Sequence, residues 1–221
     1  MKNILVTGGL GFVGSNLVDK LVSQGHSVTV IDNLISESAS RIYMNNKAEY
    51  WIDDVRNLNL SYYSNQKFDT VFHLAAYARI QPSFEKPSVY FSADALGTVE
   101  TLEYARNCGA KFIYAGSSTG FSDEMMNPYA FAKRTGERAC ELYHKIYGVS
   151  TVIARFFNVY GPRQPIIGPW ATIIGLFEEK IKKGEPLTVV GDGCQRRDFT
   201  HVDDIVDGLL KLSERTWGAE I

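Results

Sequence analysis

The first 23 residues constrain the fold more than any other part of the chain. Residues 2–7 are an apolar run with strand character, residues 8–14 form a glycine-rich turn, and residues 15–23 repeat apolar side chains at helical spacing. A strand, a glycine turn and a helix in this order are typical of the opening unit of a parallel α/β sheet. The helix N-terminus in such a unit can hold the pyrophosphate of a dinucleotide.

Three glycines in this turn have separate roles in that interpretation. Gly8 permits the tight turn, Gly11 lets a phosphate approach the backbone, and Gly14 lets the helix pack closely against the strand. A glycine motif alone also fits an ordinary strand-to-helix turn. Because a strand precedes it and a helix comes after it, we predict a dinucleotide site here.

Length and composition indicate a globular protein. The chain has 221 residues, 45% of them hydrophobic and 22% charged, which is enough for one large domain or for one domain and part of a second. The net charge of −2 and the absence of a basic block give no reason to expect nucleic acid or an anionic membrane surface as a partner. No apolar run approaches the ~18 residues that span a bilayer.

The three cysteines, Cys108, Cys140 and Cys194, are widely spaced and odd in number. This pattern is typical of reduced thiols and fits neither a disulfide framework nor a metal site. We therefore expect a cytoplasmic protein and predict no bound metal.

Further apolar runs predict the rest of the sheet. The predicted strands are residues 27–31, 50–52, 70–76, 111–115 and 150–157, with a helix over 87–107. Beyond residue 165 the pattern predicts a helix over 173–183, a short strand over 187–190 and a last helix from 202 to about 212.

Two aspartates come directly after predicted strands, where ligands bind in such sheets. Asp32 lies ~20 residues after the glycine turn, where a carboxylate accepts hydrogen bonds from the adenosine ribose and repels a 2′-phosphate. This favours NAD over NADP. Asn33 and Leu34 would continue along the ribose. Asp54 could accept from the adenine amino group, and a plain loop carboxylate is the alternative.

A tyrosine and a lysine four residues apart predict a site for proton transfer. Tyr129 and Lys133 share one face of a predicted helix, which comes after the serines at the end of the strand 111–115. A lysine ammonium beside a phenol favours the phenolate, so we expect Tyr129 to act as a base nearer neutral pH. His73, isolated on an apolar strand, is interpreted as a core residue.

Taken together, eight stretches carry a resemblance to a known family. They are residues 7–14, 32–34, 54–56, 73–76, 116–118, 127–129 with Lys133, 155–163 and 197–204. Their content and order resemble the extended short-chain dehydrogenase/reductase family, specifically its NAD-dependent nucleotide-sugar epimerases and dehydratases. The resemblance implies an α/β, doubly wound parallel sheet (a Rossmann fold) over residues 1–164 and a partial substrate-binding lobe over 165–221. Family members run on past residue 221, so we expect that lobe to be incomplete.

The resemblance also implies a role for each matched position. Tyr129 would be the acid and base acting on a sugar hydroxyl, Lys133 would hold the nicotinamide ribose and lower the pKa of the tyrosine, and Ser117 would hydrogen-bond the same sugar oxygen. The implied NAD-binding residues are Gly8, Gly11, Phe12, Val13, Gly14, Asp32, Asn33, Leu34, Asp54, Val55, Leu74, Ala75, Ala76 and Phe157, together with Tyr129 and Lys133. Asn158 and Arg197 would contact the diphosphate of a nucleotide sugar, and Thr188 and Val190 its base.

Among the chemistries of this family, the resemblance favours 4-epimerisation through a transient 4-keto sugar. Dehydratases usually carry an acid pair after the catalytic strand-end residue, where this chain has Ser118 and Thr119, and the related keto-reductases use a cysteine near that position. The alternatives are another NAD-dependent modification of a nucleotide sugar (dehydration, decarboxylation or reduction) and a non-catalytic NAD-binding protein. A UDP-sugar substrate and a homodimer built on helices 88–107 and 129–147 are implied by the same analogy.

The chain departs from the family pattern at two places. Asp94 stands where the family usually has an asparagine, and the segment between Ser117 and Tyr129 is shorter than usual. That segment contains Gly120-Phe121-Ser122 in place of the common Val-Tyr-Gly. Because it normally borders the sugar pocket, we expect a different substrate preference.

Overall fold

The computed structural model describes residues 1–35, 39–59, 63, 65–166, 168 and 171–215. Its main sheet has six strands, all parallel, in the order β3-β2-β1-β4-β5-β6. The strands are β1 (Asn3–Thr7), β2 (Ser27–Ile31), β3 (Glu49–Trp51), β4 (Thr70–His73), β5 (Lys111–Ser117) and β6 (Thr151–Phe156). This order is that of the doubly wound dinucleotide-binding fold, so the predicted fold class is confirmed.

Helices cover both faces of the sheet. They are α1 (Phe12–Ser23), α2 (Gln81–Glu85), α3 (Pro87–Tyr90), α4 (Gly97–Cys108), α5 (Pro128–Tyr147), α6 (Ile173–Lys183) and α7 (Val202–Glu214), with a π-helical segment, Phe91–Leu96, between α3 and α4. Helices α1 and α7 share one apolar cluster with the sheet, and α4 and α5 contribute to the other. The helix predicted over 87–107 is thus divided by the π-helical segment into α3 and α4.

A second, two-stranded parallel sheet joins the C-terminal part of the chain to the first sheet. It pairs β7 (Asn158–Tyr160) with β8 (Phe199–His201), and α7 begins directly after β8. Val202 and Val206 of α7 are buried in the same cluster as Ile4 of β1. The last described helix thus packs on the core of the dinucleotide-binding sheet.

The short strand predicted over 187–190 is wrong. These residues pair with no strand in the described part of the chain, and Val189 and Val190 are 67% and 74% exposed. Branched apolar side chains favour a strand only where a neighbouring strand and a core complete it. The helix predicted over 173–183 is confirmed as α6, which is capped by the Thr172 side chain at the Gly175 N–H.

No helix in the described part of the chain is long and apolar enough to cross a membrane. Within the same residues no group of three metal-ligating side chains comes together. His73 lies in the core as predicted, 1% exposed, between the hydroxyls of Thr7 and Thr98.

Candidate active site

The glycine turn closes on itself so tightly that side chains are excluded. Gly8 has φ +69°, and a Cβ there would lie 2.8 Å from the Ala75 nitrogen. A Cβ on Gly14 would lie 2.1 Å from the carbonyl oxygen of Gly8. Gly11 is the N-cap of α1 and has no side chain to cap the first N–H groups. A helix N-terminus without a side-chain cap of its own suits a pyrophosphate.

A crevice of about 730 Å³ extends from this turn across the carboxyl ends of the strands. It contains fifteen of the sixteen predicted NAD-binding positions: Gly8, Gly11, Phe12, Val13, Gly14, Asp32, Asn33, Asp54, Val55, Leu74, Ala75, Ala76, Tyr129, Lys133 and Phe157. Leu34 is the exception, because it packs against the α1 side of the core. The predicted positions are thus brought together in one cavity by the sheet.

Asp32 organises the end of the crevice beside the glycine turn. It is 7% exposed, and its two carboxylate oxygens accept from the Leu10 and Leu34 N–H groups at 3.0 and 2.8 Å. Burial raises the pKa of this carboxyl, and the two backbone hydrogen bonds oppose the rise. Each oxygen keeps a further acceptor position, which is what recognition of ribose hydroxyls requires.

Asp54 lines the same end and is held by a cation. Arg56 donates to both of its oxygens at 2.7 Å, and Asn33 donates to one of them at 2.9 Å. The bidentate contact with Arg56 is the main cause that lowers the pKa of Asp54 to about 2. The carboxylate therefore stays charged and fixed in direction.

At the opposite end of the crevice lie the three residues predicted to be catalytic. Ser117 is the last residue of β5, and Tyr129 and Lys133 lie one turn apart near the start of α5. Asn127 caps this helix at the Ala130 N–H, 2.8 Å away, and so fixes where Tyr129 sits. Ser117 lowers the pKa of the Tyr129 phenol, and Lys133 is 5% exposed.

Lys133 is not among the groups that set the pKa of Tyr129 in this structure, and its predicted effect on the tyrosine stays a prediction. The pKa of Tyr129 is raised to about 12, mainly because the phenol is buried. The groups that lower it are Ser117 and Arg79, while Asp94 raises it further. The Lys133 ammonium instead lies over the Tyr114 ring, 4.4 Å from the centroid. Burial outweighs the local charges here, and burial cannot be read from the spacing of two residues in one helix.

Arg79 is a site residue that the sequence interpretation missed. It lies in the crevice wall between β4 and α2, where its charge acts on both Tyr129 and Tyr90. The signal for it in the sequence was a cation shortly after Ala75 and Ala76, at the end of a core strand. Tyr77 lines the same wall.

Only some of the residues predicted to contact the sugar nucleotide reach the crevice. Asn158 lines it, whereas Thr188, Val190 and Arg197 are exposed and lie outside its lining. Thr188 accepts from Lys180 at 2.8 Å, and Arg197 donates to the carbonyl oxygen of Arg196 at 2.7 Å. Their predicted roles are not supported by this arrangement and stay predictions.

An ion cluster fastens the shortened segment after Ser117. Glu137, 1% exposed as a side chain, accepts from Arg155 at 2.9 and 2.8 Å and from Arg134 at 2.6 Å. Arg155 lies so close beneath Gly120 that a Cβ there would be 2.7 Å from its Nε. Phe121 stacks with Phe157 over the same guanidinium. The ion cluster therefore holds the crevice wall at Gly120 and Phe121 in place.

The two ends of the crevice suit the two ends of one molecule. A glycine-lined helix terminus with two fixed carboxylates suits the adenosine and pyrophosphate, and a buried serine–tyrosine–lysine group suits a reacting alcohol. This defines a dinucleotide-dependent enzyme of the short-chain dehydrogenase/reductase class.

Comparison with known proteins specifies the family. Residues 4–219 match the NAD dependent epimerase/dehydratase family. The chain belongs to this family, and the predicted NAD dependence is confirmed.

Individual relatives span several chemistries. UDP-glucuronic acid decarboxylase 1 of Arabidopsis thaliana is 34% identical over 96% of this chain, which spans 52% of that protein. The crystal structure of UDP-glucose 4-epimerase from Thermotoga maritima with UDP-glucose is 33% identical with a TM-score of 0.89, over 96% of this chain and 73% of that one. The enzyme WbmF of Bordetella bronchiseptica, solved with NAD+ and UDP, is 29% identical with a TM-score of 0.87, over 99% of this chain and 71% of that one.

Proposed function

We propose that this chain catalyses the NAD-dependent epimerisation of a nucleotide sugar through a transient 4-keto intermediate, with a UDP-sugar as substrate. The observation that supports it is that Ser117, Tyr129 and Lys133 all line the crevice that also contains the glycine turn. An alcohol placed there would meet a hydroxyl pair able to move its proton. When bound, NAD supplies the hydride acceptor and donor for the sugar carbon.

The residues of the chain handle the proton. Tyr129 takes the proton of the sugar hydroxyl as the alcohol is oxidised and returns it when the ketone is reduced on its other face. Ser117 hydrogen-bonds the same sugar oxygen and so orients it. Lys133 contributes positive charge from beneath, because its ammonium is buried on α5 one turn from Tyr129. The crevice supplies orientation for the reacting groups.

Epimerisation is favoured by the two residues after Ser117. Ser118 and Thr119 line the crevice where a dehydratase needs an acid and base pair. The carboxylates of the crevice lining, Asp32, Asp53 and Asp54, belong to its glycine-turn end. Decarboxylation is the second candidate because a decarboxylase is among the relatives, and a non-catalytic NAD-binding protein is the third.

The proposal extends to the binding residues. The fifteen crevice positions named above would hold NAD, with Leu34 supporting the loop at the ribose. Asn158 and Arg197 would contact the diphosphate, and Thr188 and Val190 the base, which requires the segment 185–198 to fold over the crevice mouth. Residues 1–164 would then act as the NAD-binding part and 165–221 as part of the substrate lobe.

We also propose a cytoplasmic homodimer. Exposed apolar side chains on α5, including Leu142 at 54% and Ile146 at 59%, lie on one of the two helices that such a pairing would use. Sedimentation of wild type and of Ile146→Glu tests the dimer, which the charge should dissociate.

The test of function is turnover of UDP-glucose, UDP-galactose and UDP-glucuronate by the purified chain, with Tyr129→Phe and the exposed-site control Tyr147→Phe. We expect Tyr129→Phe to lower epimer formation by about 100- to 10,000-fold without loss of NAD binding, and Tyr147→Phe to leave both unchanged. Release of carbon dioxide from UDP-glucuronate would show that the chain catalyses decarboxylation and would contradict epimerisation. NAD binding without tyrosine-dependent turnover of any of the sugars would favour the non-catalytic NAD-binding protein.

A further inference from the structure

Asp53 is a carboxylate of the crevice lining to which the proposed function gives no role. Its Oδ1 accepts from the Asp54 N–H and from the side-chain amide of Asn57, both at 2.7 Å. Its Oδ2 accepts from the hydroxyl of Tyr63 at 2.8 Å. Three donors from the described part of the chain thus hold this one side chain.

The turn that Asp53 holds is the one that presents Asp54 to the crevice. A short 3₁₀ turn, Val55–Asn57, begins at Asp54, and the Asn57 N–H donates to the Asp54 carbonyl oxygen at 2.9 Å. Asp53 bonds the residues at the two ends of this turn, Asp54 and Asn57. The backbone of Asp54 is therefore fixed by Asp53, while Arg56 and Asn33 hold its carboxylate.

Tyr63, which holds Asp53, is itself anchored by two elements of the fold. It is 6% exposed, and its ring packs on Trp51 of β3 with the centroids 4.6 Å apart. Its carbonyl oxygen accepts from the hydroxyl of Tyr104 on α4 at 3.1 Å. Because Tyr63 lies outside the crevice lining, its hydroxyl reaches Asp53 from the protein side.

We propose that Asp53 and Tyr63 are positioning residues for the recognition of adenine, which rests on the NAD-binding role proposed above for Asp54. Tyr63 fixes the carboxylate of Asp53, and Asp53 fixes the turn so that the Asp54 carboxylate meets the exocyclic amino group of the base. Neither positioning residue needs to touch the cofactor.

The charge of Asp53 strengthens these contacts. Burial raises the pKa of Asp53, but the hydrogen bonds from Asn57, the Asp54 N–H and Tyr63 together lower it below its usual value. Asp53 is therefore ionised near pH 7. Hydrogen bonds to an ionised acceptor are stronger than those between neutral groups, so the turn is held more firmly than a neutral side chain would hold it.

Nicotinamide hypoxanthine dinucleotide measures recognition of the amino group apart from the rest of the cofactor. It carries a carbonyl oxygen in place of the amino group, so it offers Asp54 no donor at that position. A hydrogen bond to a charged acceptor is worth about tenfold or more in affinity. In calorimetric titrations of the purified full chain, the wild type should prefer NAD by about that factor, and Asp54→Ala should lose the preference.

Two variants test the positioning residues directly. Tyr63→Phe removes the hydroxyl but keeps the ring that packs on Trp51, and it should lower the preference for NAD by about threefold. Asp53→Ala removes all three hydrogen bonds and should lower the preference by about fivefold or more. Asp53→Asn should restore most of it, because its amide oxygen still accepts and its NH₂ can donate to the phenol.

Tyr143→Phe is the matched control. It removes a hydroxyl that also donates to a carboxylate, that of Glu103 at 3.3 Å, but this pair lies outside the crevice lining. The control should keep the wild-type preference. The ratio of the two affinities is the measured quantity, because a general loosening of the fold lowers both affinities together and leaves their ratio unchanged.

A wild-type preference that persists unchanged in Tyr63→Phe and Asp53→Ala would overturn the proposal. If Asp53→Ala fails to fold, Tyr63→Phe decides alone. A wild type that binds both dinucleotides equally would show that Asp54 does not meet the amino group, and it would overturn the proposal together with that binding role. The titrations need no turnover, so their result is independent of whether the chain epimerises a sugar.

Discussion

A Cβ on Gly14 would lie only 2.1 Å from the carbonyl oxygen of Gly8. This is far inside van der Waals contact, so α1 can begin where it does only because residue 14 has no side chain. The contact fixes the distance between the first helix and the first strand. The shape of the proposed pyrophosphate site therefore depends on this one approach.

We expect Gly14→Ala to push α1 away from the turn and to cost about 1–3 kcal/mol of unfolding free energy. NAD affinity should fall tenfold or more, measured by calorimetric titration. Gly208→Ala is the control, because it lies within α7 with nothing within 4 Å of the added Cβ. That control should gain about 0.5–1 kcal/mol and bind NAD normally. Equal NAD affinities in the two variants would contradict the role of the close approach.

The ion pair of Asp54 and Arg56 predicts how stability responds to acid. The pKa of Asp54 is lowered from 3.8 to about 2, chiefly by Arg56, so the pair stabilises the fold above the unfolded value of 3.8. That contribution is lost as pH falls through about 2. With the side chain 20% exposed, we expect about 1–2 kcal/mol at neutral pH.

Urea unfolding of wild type and Asp54→Asn across this range measures the effect. The difference between them should be constant at neutral pH and vanish in acid. Asp207→Asn, whose pairing with Lys20 is half exposed, should show a much smaller difference. A gap between wild type and Asp54→Asn that persists below the folded pKa would rule out this electrostatic origin.

The cluster around Glu137 predicts a large loss of stability on removing one charge. Glu137→Gln should cost about 3–5 kcal/mol, because the guanidinium of Arg155, 10% exposed, loses its partner. The matched control is Glu141→Gln, one turn further along α5, whose partner Arg138 is 64% exposed. It should cost less than about 1 kcal/mol.

The same variant should loosen the crevice wall above it. Gly120 and Phe121 rest on Arg155, so Glu137→Gln should speed hydrogen exchange of residues 118–122 more than of α7. Uniform exchange changes throughout the protein would show that the cluster stabilises the fold globally and does not anchor the segment.

Much of the fold could be predicted from local patterns. The glycine turn, the parallel strands, α6 and α7 were predictable because periodicity and glycine placement are properties of neighbouring residues. The strand expected over 187–190 was not borne out, because Val189 and Val190 have the side chains of a strand without a partner strand. The π-helical turn at Asp94 had no signal in the apolar spacing.

The sequence by itself determined most of the residues that meet in the crevice. In a doubly wound sheet the parallel strands end at one edge, so Asp32, Asp54 and Ser117, which come at or after strand ends, lie there. Tyr129 and Lys133 come soon after Ser117 in the chain and line the same crevice. Only the tertiary structure decided how these groups are charged. Burial raises the pKa of Tyr129 and lowers that of Lys133, because the groups packed around each side chain act on it through space. Those surroundings come from elements far apart in the chain, so no local pattern encodes them.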